Sequence, residues 1–208
     1  SIHRLPNGLT VYLSPKKGEP RVSCRIAVRA GSKNDPADST GMAHYLEHMF
    51  FKGTSHLGTL DYEKERPHLE RIRALYEELF KTKDGAGRDK IYKAIDDANV
   101  LAAKSAVPNE FDRFYKNIGA EGLNAFTSDE QTVYLVNIPS NRLEAWAAME
   151  AERFKNPVFR LFQTEIETVY EEKNRSMDNA ERLLDDEVEK RLYKVHPYGQ
   201  QPTLGTLE

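Results

Sequence analysis

The sequence predicts an α+β fold, in which helices pack on an antiparallel sheet. Runs that alternate apolar and polar residues, as half-buried strands do, occur twice before residue 30 and twice between residues 123 and 138. Stretches with apolar residues at three- and four-residue spacing, typical of helices, lie between and after these runs. The 208 residues, 39% hydrophobic and 30% charged, suffice for one large domain over 1–208.

Two strands and a helix are predicted at the start of the chain. Residues 9–13 follow a Pro-Asn-Gly turn, and residues 21–30 follow a proline. The second run contains the single cysteine, Cys24, which we expect to be buried. After a loop over 31–36, a helix is predicted over residues 43–51, with Ser39 or Thr40 as its N-cap.

A charged helical hairpin is predicted from about residue 60 to residue 109. Two sets of apolar residues fall at helical spacing on either side of a glycine-containing turn at 83–87. They are Leu69, Ile72, Leu75, Tyr76 and Leu79 before the turn, and Ile91, Ile95, Ala98 and Leu101 after it. Glutamate, lysine and arginine crowd the other face, which we interpret as a solvated surface.

The remainder of the chain is predicted to add two strands and three helices. A short helix over 111–117 precedes strands near 123–128 and 131–138, the second rich in β-branched and aromatic residues. A helix through about Phe154 follows, with Trp146 on its apolar side and expected in the core. A long helical stretch over 165–192 ends at His196-Pro-Tyr-Gly.

Composition excludes several classes of function. With 30 basic against 33 acidic residues, the chain has no field of one sign to bind nucleic acid or an anionic membrane. No run approaches the roughly 18 apolar residues of a membrane-spanning helix. A single cysteine cannot form an internal disulfide.

The strongest signal of chemistry is the pentapeptide His44-Tyr-Leu-Glu47-His48. On a helix the two histidines lie one turn apart, so both imidazoles project from one face and can bind one ion. Glu47 lies within about 100° of both, where its carboxylate can reach a water on that ion. Catalytic zinc usually has three protein ligands and an open position for water. The pattern can also arise by chance on a charged helix.

A third ligand is available in the acidic stretch 165–172. Glu165 and Glu172 are seven residues apart and diverge by only about 20° on a straight helix, so they suit one ligand and one supporting carboxylate. Glu167 and Glu171 fit an acidic solvent face better. Spacing alone leaves Glu171 and Glu172 as alternatives for the ligand.

These motifs together resemble those of the pitrilysin, insulysin and mitochondrial processing peptidase family of inverzincin metallopeptidases, whose motif is H-x-x-E-H. The resemblance extends over nearly the whole chain. It includes LPNGLTV at 5–11, GMAHYLEHMFFKGT at 41–54, LNAFTSDEQTVY at 123–134, the E-x-x-x-V-x-x-E pattern at 165–172 and HPY at 196–198.

The resemblance implies a zinc-dependent endopeptidase with one zinc per chain. His44, His48 and Glu172 would be the metal ligands, Glu47 the general base acting on a metal-activated water, and Glu165 a supporting carboxylate of the catalytic site. It also implies a substrate-binding edge strand, an apolar pocket beside the metal and a peptide or unfolded polypeptide as substrate. The residues concerned are Asn124, Ala125 and Phe126 on the strand and Phe51 in the pocket. The alternatives are a core position for Phe51 and a turn position for Asn124.

The chain departs from the family in two ways. His48 and Glu172 are farther apart than is usual, and we interpret the hairpin at about 60–109 as an insertion that accounts for the excess. Family members also continue past the point that corresponds to Glu208 with the rest of this domain and a second peptidase half, which closes a chamber. We therefore expect an N-terminal domain truncated at its C-terminus, inactive by itself where the second half is missing. Because bacterial relatives with a long insertion are often exported, the periplasm is favoured over the cytoplasm.

Two rival hypotheses remain at this point. The chain could be a non-catalytic subunit of the same family that binds peptides or supports a partner, although such subunits typically have eroded metal motifs. It could also be a metal-free α+β domain with fortuitous spacing. The other histidines, His3, His56, His68 and His196, have no partner at ligand spacing and are interpreted as surface or turn residues.

Overall fold

The computed structural model describes residues 1–206 and confirms the predicted α+β class. Its strands are β1 (Ile2–Arg4), β2 (Thr10–Tyr12), β3 (Arg21–Val28), β4 (Glu121–Thr127) and β5 (Thr132–Pro139). Its helices are α1 (Met42–Met49), α2 (Tyr62–Lys81), α3 (Gly85–Ala103), α4 (Glu110–Asn117), α5 (Leu143–Lys155), α6 (Phe162–Met177), α7 (Ala180–Leu192) and α8 (Pro197–Gln200). None of these helices combines the length and apolar content needed to cross a membrane.

The main sheet has three antiparallel strands in the order β3-β5-β4. The central strand, β5, is rich in valine, isoleucine and tyrosine, which suit a strand buried between neighbours. On the helix-covered face, Cys24 packs with Val136 and Ile138 and with aromatic side chains of α4, while Trp146 is partly buried beside them. The predicted core positions of Cys24 and Trp146 agree with this cluster. On the other side of β5, strand β4 forms an edge of the sheet.

A buried cation lies in the core beneath the sheet. Arg153 of α5 is 1% exposed and donates from Nε to Glu150 Oε2 over 2.9 Å, and the Tyr115 hydroxyl donates to the same carboxyl group. Its guanidinium also lies 4.4 Å from the centre of the Tyr134 ring and 4.8 Å from that of Phe111. Carboxylate and aromatic rings together offset the cost of burying this charge.

The predicted hairpin consists of α2 and α3, joined by residues 82–84. Asp61 and Asp84 accept hydrogen bonds from backbone N–H groups in the first turns of α2 and α3, as N-cap residues do. The two helices bury a separate apolar cluster that includes Leu75 and Ile95. The hairpin therefore stabilises itself locally; its origin as an insertion remains a prediction.

The structure corrects two predicted helix boundaries. The N-cap of α1 is Gly41 (φ 85°), not Ser39 or Thr40. The cap comes from Asp35, which lies six residues before Gly41 and whose carboxylate accepts from the N–H groups of Gly41 and Ala43 at 2.8 Å. Sequence spacing does not reveal a cap supplied from a preceding loop.

The second correction concerns the long stretch 165–192, which is two helices rather than one. The Asn179 side chain accepts hydrogen bonds from the N–H groups of Glu181 and Arg182 and so starts α7. Asparagine side chains compete with the helical backbone in this way, and the chain changes direction at the break. Strand β1 was not predicted; it pairs with β2.

Replacing Arg153 by alanine is expected to lower the free energy of unfolding by about 3–5 kcal/mol, because Glu150 would retain a buried charge without its cation. Denaturant unfolding monitored by Trp146 fluorescence measures the loss. As a control, Arg191→Ala breaks an exposed ion pair with Glu187 and should cost less than about 1 kcal/mol. An equally small loss for Arg153→Ala would contradict the role given to this ion pair.

Candidate metal centre

Two histidines and one glutamate, brought together from α1 and α6, form a compact group of donor atoms. The Nε2 atoms of His44 and His48 are 3.1 Å apart, since the residues lie one turn apart on α1. Oxygens of Glu172 lie 3.7 Å from His44 Nε2 and 3.4 Å from His48 Nε2. One ligand atom from each residue lies within 4.8 Å of the others. Within residues 1–206, these three side chains are the set of histidine, cysteine, aspartate and glutamate residues that lie close enough together to hold one metal ion.

The geometry also distinguishes Glu172 from Glu171. Glu172 faces the two imidazoles, whereas Glu171 is exposed and is absent from the group. Glu165, two turns earlier on α6, lies on the same side of the helix and reaches His48. The near alignment of positions 165 and 172 on a straight helix accounts for this arrangement.

Glu165 determines which nitrogen of His48 faces the group. His48 Nδ1 lies 2.8 Å from Glu165 Oε1, so Nδ1 carries the proton that this bond needs. In the neutral imidazole the lone pair is then on Nε2, which points toward His44 and Glu172. Lys52 also forms an ion pair with Glu165. Burial alone would raise the pKa of Glu165, but the hydrogen bonds from His48 and Lys52 outweigh it and lower that pKa.

The two histidines have opposite electrostatic environments. The hydrogen bond to Glu165 raises the pKa of His48. Burial, followed by the proximity of His48, lowers the pKa of His44. A neutral His44 offers a nitrogen lone pair instead of a charge, as metal ligation requires. Two imidazole nitrogens and one carboxylate form the donor set typical of zinc.

Glu47, the predicted general base, is buried next to the edge strand. Its Oε2 accepts a hydrogen bond of 2.6 Å from the Thr127 hydroxyl at the end of β4. Burial raises the pKa of Glu47, while the Thr127 hydrogen bond and the neighbouring His48 oppose that rise. Glu47 lines the same cleft as the metal group but is not part of it.

The cleft has a volume of about 880 Å³ and brings together the predicted substrate residues. Asn124, Ala125 and Phe126 lie on β4 and line it, so Asn124 is a strand residue, not a turn residue. Phe51 also lines it, and its ring packs against Phe111 and Tyr134, with centroids 5.7 Å and 5.9 Å away. Both readings of Phe51, as a pocket wall and as a core residue, therefore describe part of its surroundings.

Sequence reasoning missed several side chains near the donor group. The side chains of Thr127 and Ala125, two residues apart on β4, point to the same face of the sheet. Lys52 lies four residues after His48, just beyond the end of α1. These spacings could have indicated both residues. Arg182, Asp185, Asp186 and Glu189 also line the cleft, and all four lie on α7, the helix that begins after the break at Asn179.

Of the remaining histidines, His3 and His56 contact nearby polar groups outside the donor group. His3 lies next to the Ser1 hydroxyl, and His56 forms an exposed ion pair with Glu152. His196 accepts from the Tyr198 N–H group at the start of α8, and His68 is partly buried on α2. They agree with the surface and turn positions inferred from sequence.

Comparison with known proteins identifies similar chains. A family model described as "Insulinase (Peptidase family M16)" matches residues 10–68 and 99–206. An uncharacterized zinc protease of Rickettsia felis is 24% identical over 207 residues, which cover 99% of this chain and 38% of that protein. A probable mitochondrial-processing peptidase subunit beta of Schizosaccharomyces pombe is 26% identical over 198 residues, covering 94% of this chain and 32% of that protein.

A solved structure shares the fold. The crystal structure of a protease from Helicobacter pylori matches with a TM-score of 0.66 at 23% identity, over 100% of this chain and 38% of that one. The present chain thus spans less than two fifths of the length of these relatives. Residues 69–98, between the two ranges that the family model matches, lie in the hairpin of α2 and α3.

The Glu165→Gln substitution is expected to weaken zinc binding about 10- to 100-fold, because the charged partner that orients His48 is lost. Competition with a chromophoric chelator measures the affinity. Glu167→Gln, on the exposed side of the same helix, is the matched control and should bind as the unaltered chain does. Equal affinities for the two variants would refute the orienting role of Glu165.

Proposed function

The chain belongs to the insulinase family of peptidases, peptidase family M16, and on that premise we propose that it is the metal-binding part of a zinc-dependent endopeptidase. The convergence of His44, His48 and Glu172 supports this proposal most directly. The names of the relatives, zinc protease and processing peptidase, agree with it. The three residues point their ligand atoms at one another from two different helices, which is the arrangement that a shared cation requires.

His44, His48 and Glu172 would hold the zinc, and Glu165 would orient His48. Bound zinc supplies a Lewis acid that polarises the peptide carbonyl and makes water more acidic. The donor set fits, because three protein ligands leave one position open to the cleft.

Glu47 would move the proton during hydrolysis. Its carboxylate takes a proton from the attacking water as the new C–O bond forms, and delivers it to the leaving amine as the C–N bond breaks. Thr127 holds one carboxylate oxygen through its hydroxyl, which orients the other. The burial that raises the pKa of Glu47 makes this carboxylate a stronger base.

The edge strand β4 would hold the substrate. It pairs with β5 on one side, and its residues line the cleft that contains Glu47 and the donor group. An extended peptide can add to such an edge through backbone hydrogen bonds, which favours peptides and unfolded polypeptides. Asn124 would bind the peptide backbone, and Phe51 would contact an apolar side chain next to the scissile bond.

The exposed apolar surface of α7 supports a second peptidase half as the partner of this chain. Four charged residues of α7 line the cleft, whereas its apolar residues are largely exposed: Leu184 is 63% exposed, Val188 43% and Leu192 70%. The chain exposes 14030 Å² of surface, against about 10,000 Å² for a folded monomer of this size. A covering polypeptide would bury this excess and close the cleft.

The decisive test measures zinc content and peptide cleavage on the chain together with the half that accompanies it in the cell. We expect about one zinc per chain, which the His44→Ala/His48→Ala double variant loses. Glu47→Gln should keep zinc but lower the cleavage rate about 10²- to 10⁴-fold, because it removes general acid–base catalysis. Zinc retained by the double variant would defeat the assignment of the ligands.

Chelation separates an enzyme from a non-catalytic subunit. Removing the metal with 1,10-phenanthroline should abolish cleavage, and added zinc should restore it. A protein that binds zinc at this site but cleaves no peptide in a mixed library, with its second half present, would instead be the non-catalytic family member.

A further inference from the structure

Arg160 occupies a fully enclosed site between the elements that carry the donor group. It is 2% exposed, and all five of its N–H groups donate hydrogen bonds. Nε and Nη2 bind the two oxygens of Glu65, itself 0% exposed, over 2.8 Å and 3.0 Å. The remaining bonds, 2.9 to 3.1 Å long, go to backbone carbonyls in the loop that follows α1, those of Lys52, Thr54 and Leu57.

Two glycines make room for this guanidinium. A Cβ added to Gly53 would lie 2.7 Å from Arg160 Nη1, and one added to Gly58 would lie 2.9 Å from the same atom. Both residues also have positive φ angles, 105° and 86°, which favour glycine. The loop from Lys52 to Gly58 is therefore shaped around the side chain of Arg160.

Through this loop Arg160 is connected to His48. The carbonyl of Lys52 accepts from Arg160, and the side chain of Lys52 forms an ion pair with Glu165. Glu165 in turn accepts from His48 Nδ1. A continuous series of polar contacts thus runs from Arg160 to a donor residue of the metal group.

Arg160 also anchors the start of α6, which carries Glu172. Leu161, the next residue, has a left-handed backbone (φ 57°), a strained conformation for leucine. The surroundings hold it in place, because Arg160 is anchored on one side and Phe162 on the other, where the carbonyl of Phe162 accepts from the Tyr45 hydroxyl over 2.9 Å. Strain of this kind persists only where neighbouring contacts over-determine the backbone.

The hairpin of α2 and α3 also packs against the start of α6. Glu65 lies in the first turns of α2, and the ring of Tyr76 of α2 packs at a tilt against Phe162, with centroids 5.2 Å apart. Phe162 also packs edge-to-face against Tyr45, which lies between His44 and Glu47 on α1, with centroids 5.1 Å apart. The hairpin therefore contacts the start of α6 directly and reaches α1 through Phe162.

We propose that Arg160, with Glu65 as its carboxylate partner, is a positioning residue that holds α1 and α6 at the separation required by His44, His48 and Glu172. The inference rests on the proposed function, because it concerns the same zinc site. It adds that docking of the hairpin and binding of zinc are coupled, so that each strengthens the other, as linkage requires.

The alternative is that the Arg160–Glu65 ion pair only stabilises the fold and does not affect the zinc site. A second buried ion pair in the chain provides a control for this alternative. Arg153 and Glu150 form another buried pair of the same chemistry, but both residues lie on α5. Within the described residues, Arg153 approaches the segment after α1 only at the ring of Phe51, 5.2 Å from its centroid, and forms no hydrogen bond with α1, α6 or the loop that follows α1. Glu65→Gln and Glu150→Gln remove one charge from equivalent pairs. Both should lower the melting temperature, and only the first should change zinc affinity.

The experiment measures zinc affinity by chelator competition for the unaltered chain, Glu65→Gln, Arg160→Lys and Glu150→Gln, each below its melting temperature. Visible spectra of the cobalt-substituted forms report ligand geometry. Glu65→Gln and Arg160→Lys should bind zinc at least about tenfold more weakly and alter the cobalt spectrum. Glu150→Gln should do neither. Affinity and spectrum unchanged in Glu65→Gln and Arg160→Lys, or changed equally in Glu150→Gln, would overturn the proposal.

Hydrogen exchange on the unaltered chain provides a test that requires no variant to fold. Zinc should slow exchange of backbone N–H groups in the Lys52–Gly58 loop and around Glu65, as well as in α1 and α6. Protection confined to α1 and α6 would overturn the coupling while leaving the proposed function intact. No zinc binding by the unaltered chain would instead overturn the proposed function.

Discussion

The separation between α1 and α6 is the constraint on which the rest of this structure depends. His44 and His48 are positioned relative to each other by one helix, but the carboxylate of Glu172 comes from a helix more than a hundred residues later. Displacement of a donor by an ångström is costly for a metal site. The surrounding structure therefore has to fix the separation of the two helices as well as the positions of the three side chains.

Several charged or titratable side chains are buried in the same region, which costs solvation free energy. His44, Glu47 and Glu165 are all buried within one cleft. Hydrogen bonds from His48 and Lys52 outweigh the effect of burial on the pKa of Glu165. At Glu47 the hydroxyl of Thr127 opposes the effect of burial on the pKa without cancelling it. The donor atoms of His44, His48 and Glu172 remain facing one another. A cation at their centre would complete the compensation, which is why the geometry favours a metal over a structural polar cluster.

The hairpin and the sheet serve this cleft from opposite sides. The edge strand β4 forms one wall, and residues 106–112, which follow the hairpin and lead into α4, form part of another. The contacts of Glu65 and Tyr76 bind the hairpin to the start of α6. The sequence predicted the two helices of this hairpin, with a charged face exposed to solvent. The structure adds that the hairpin packs against the start of α6.

Local patterns in the sequence determined the class of fold, the helix that presents His44 and His48, and the pairing of positions 165 and 172 on one stripe. Such features depend on periodicity within a single element, which the sequence records directly. Helical spacing left Glu171 and Glu172 as alternatives and the family resemblance implied Glu172, which the tertiary structure places opposite the histidines. Only the tertiary structure decided that Asp35 caps α1 and that Asn179 divides the last long helix. It also revealed the site of Arg160, whose partners lie about 100 residues away along the chain. Contacts of this range arise from packing between elements, and no local spacing encodes them.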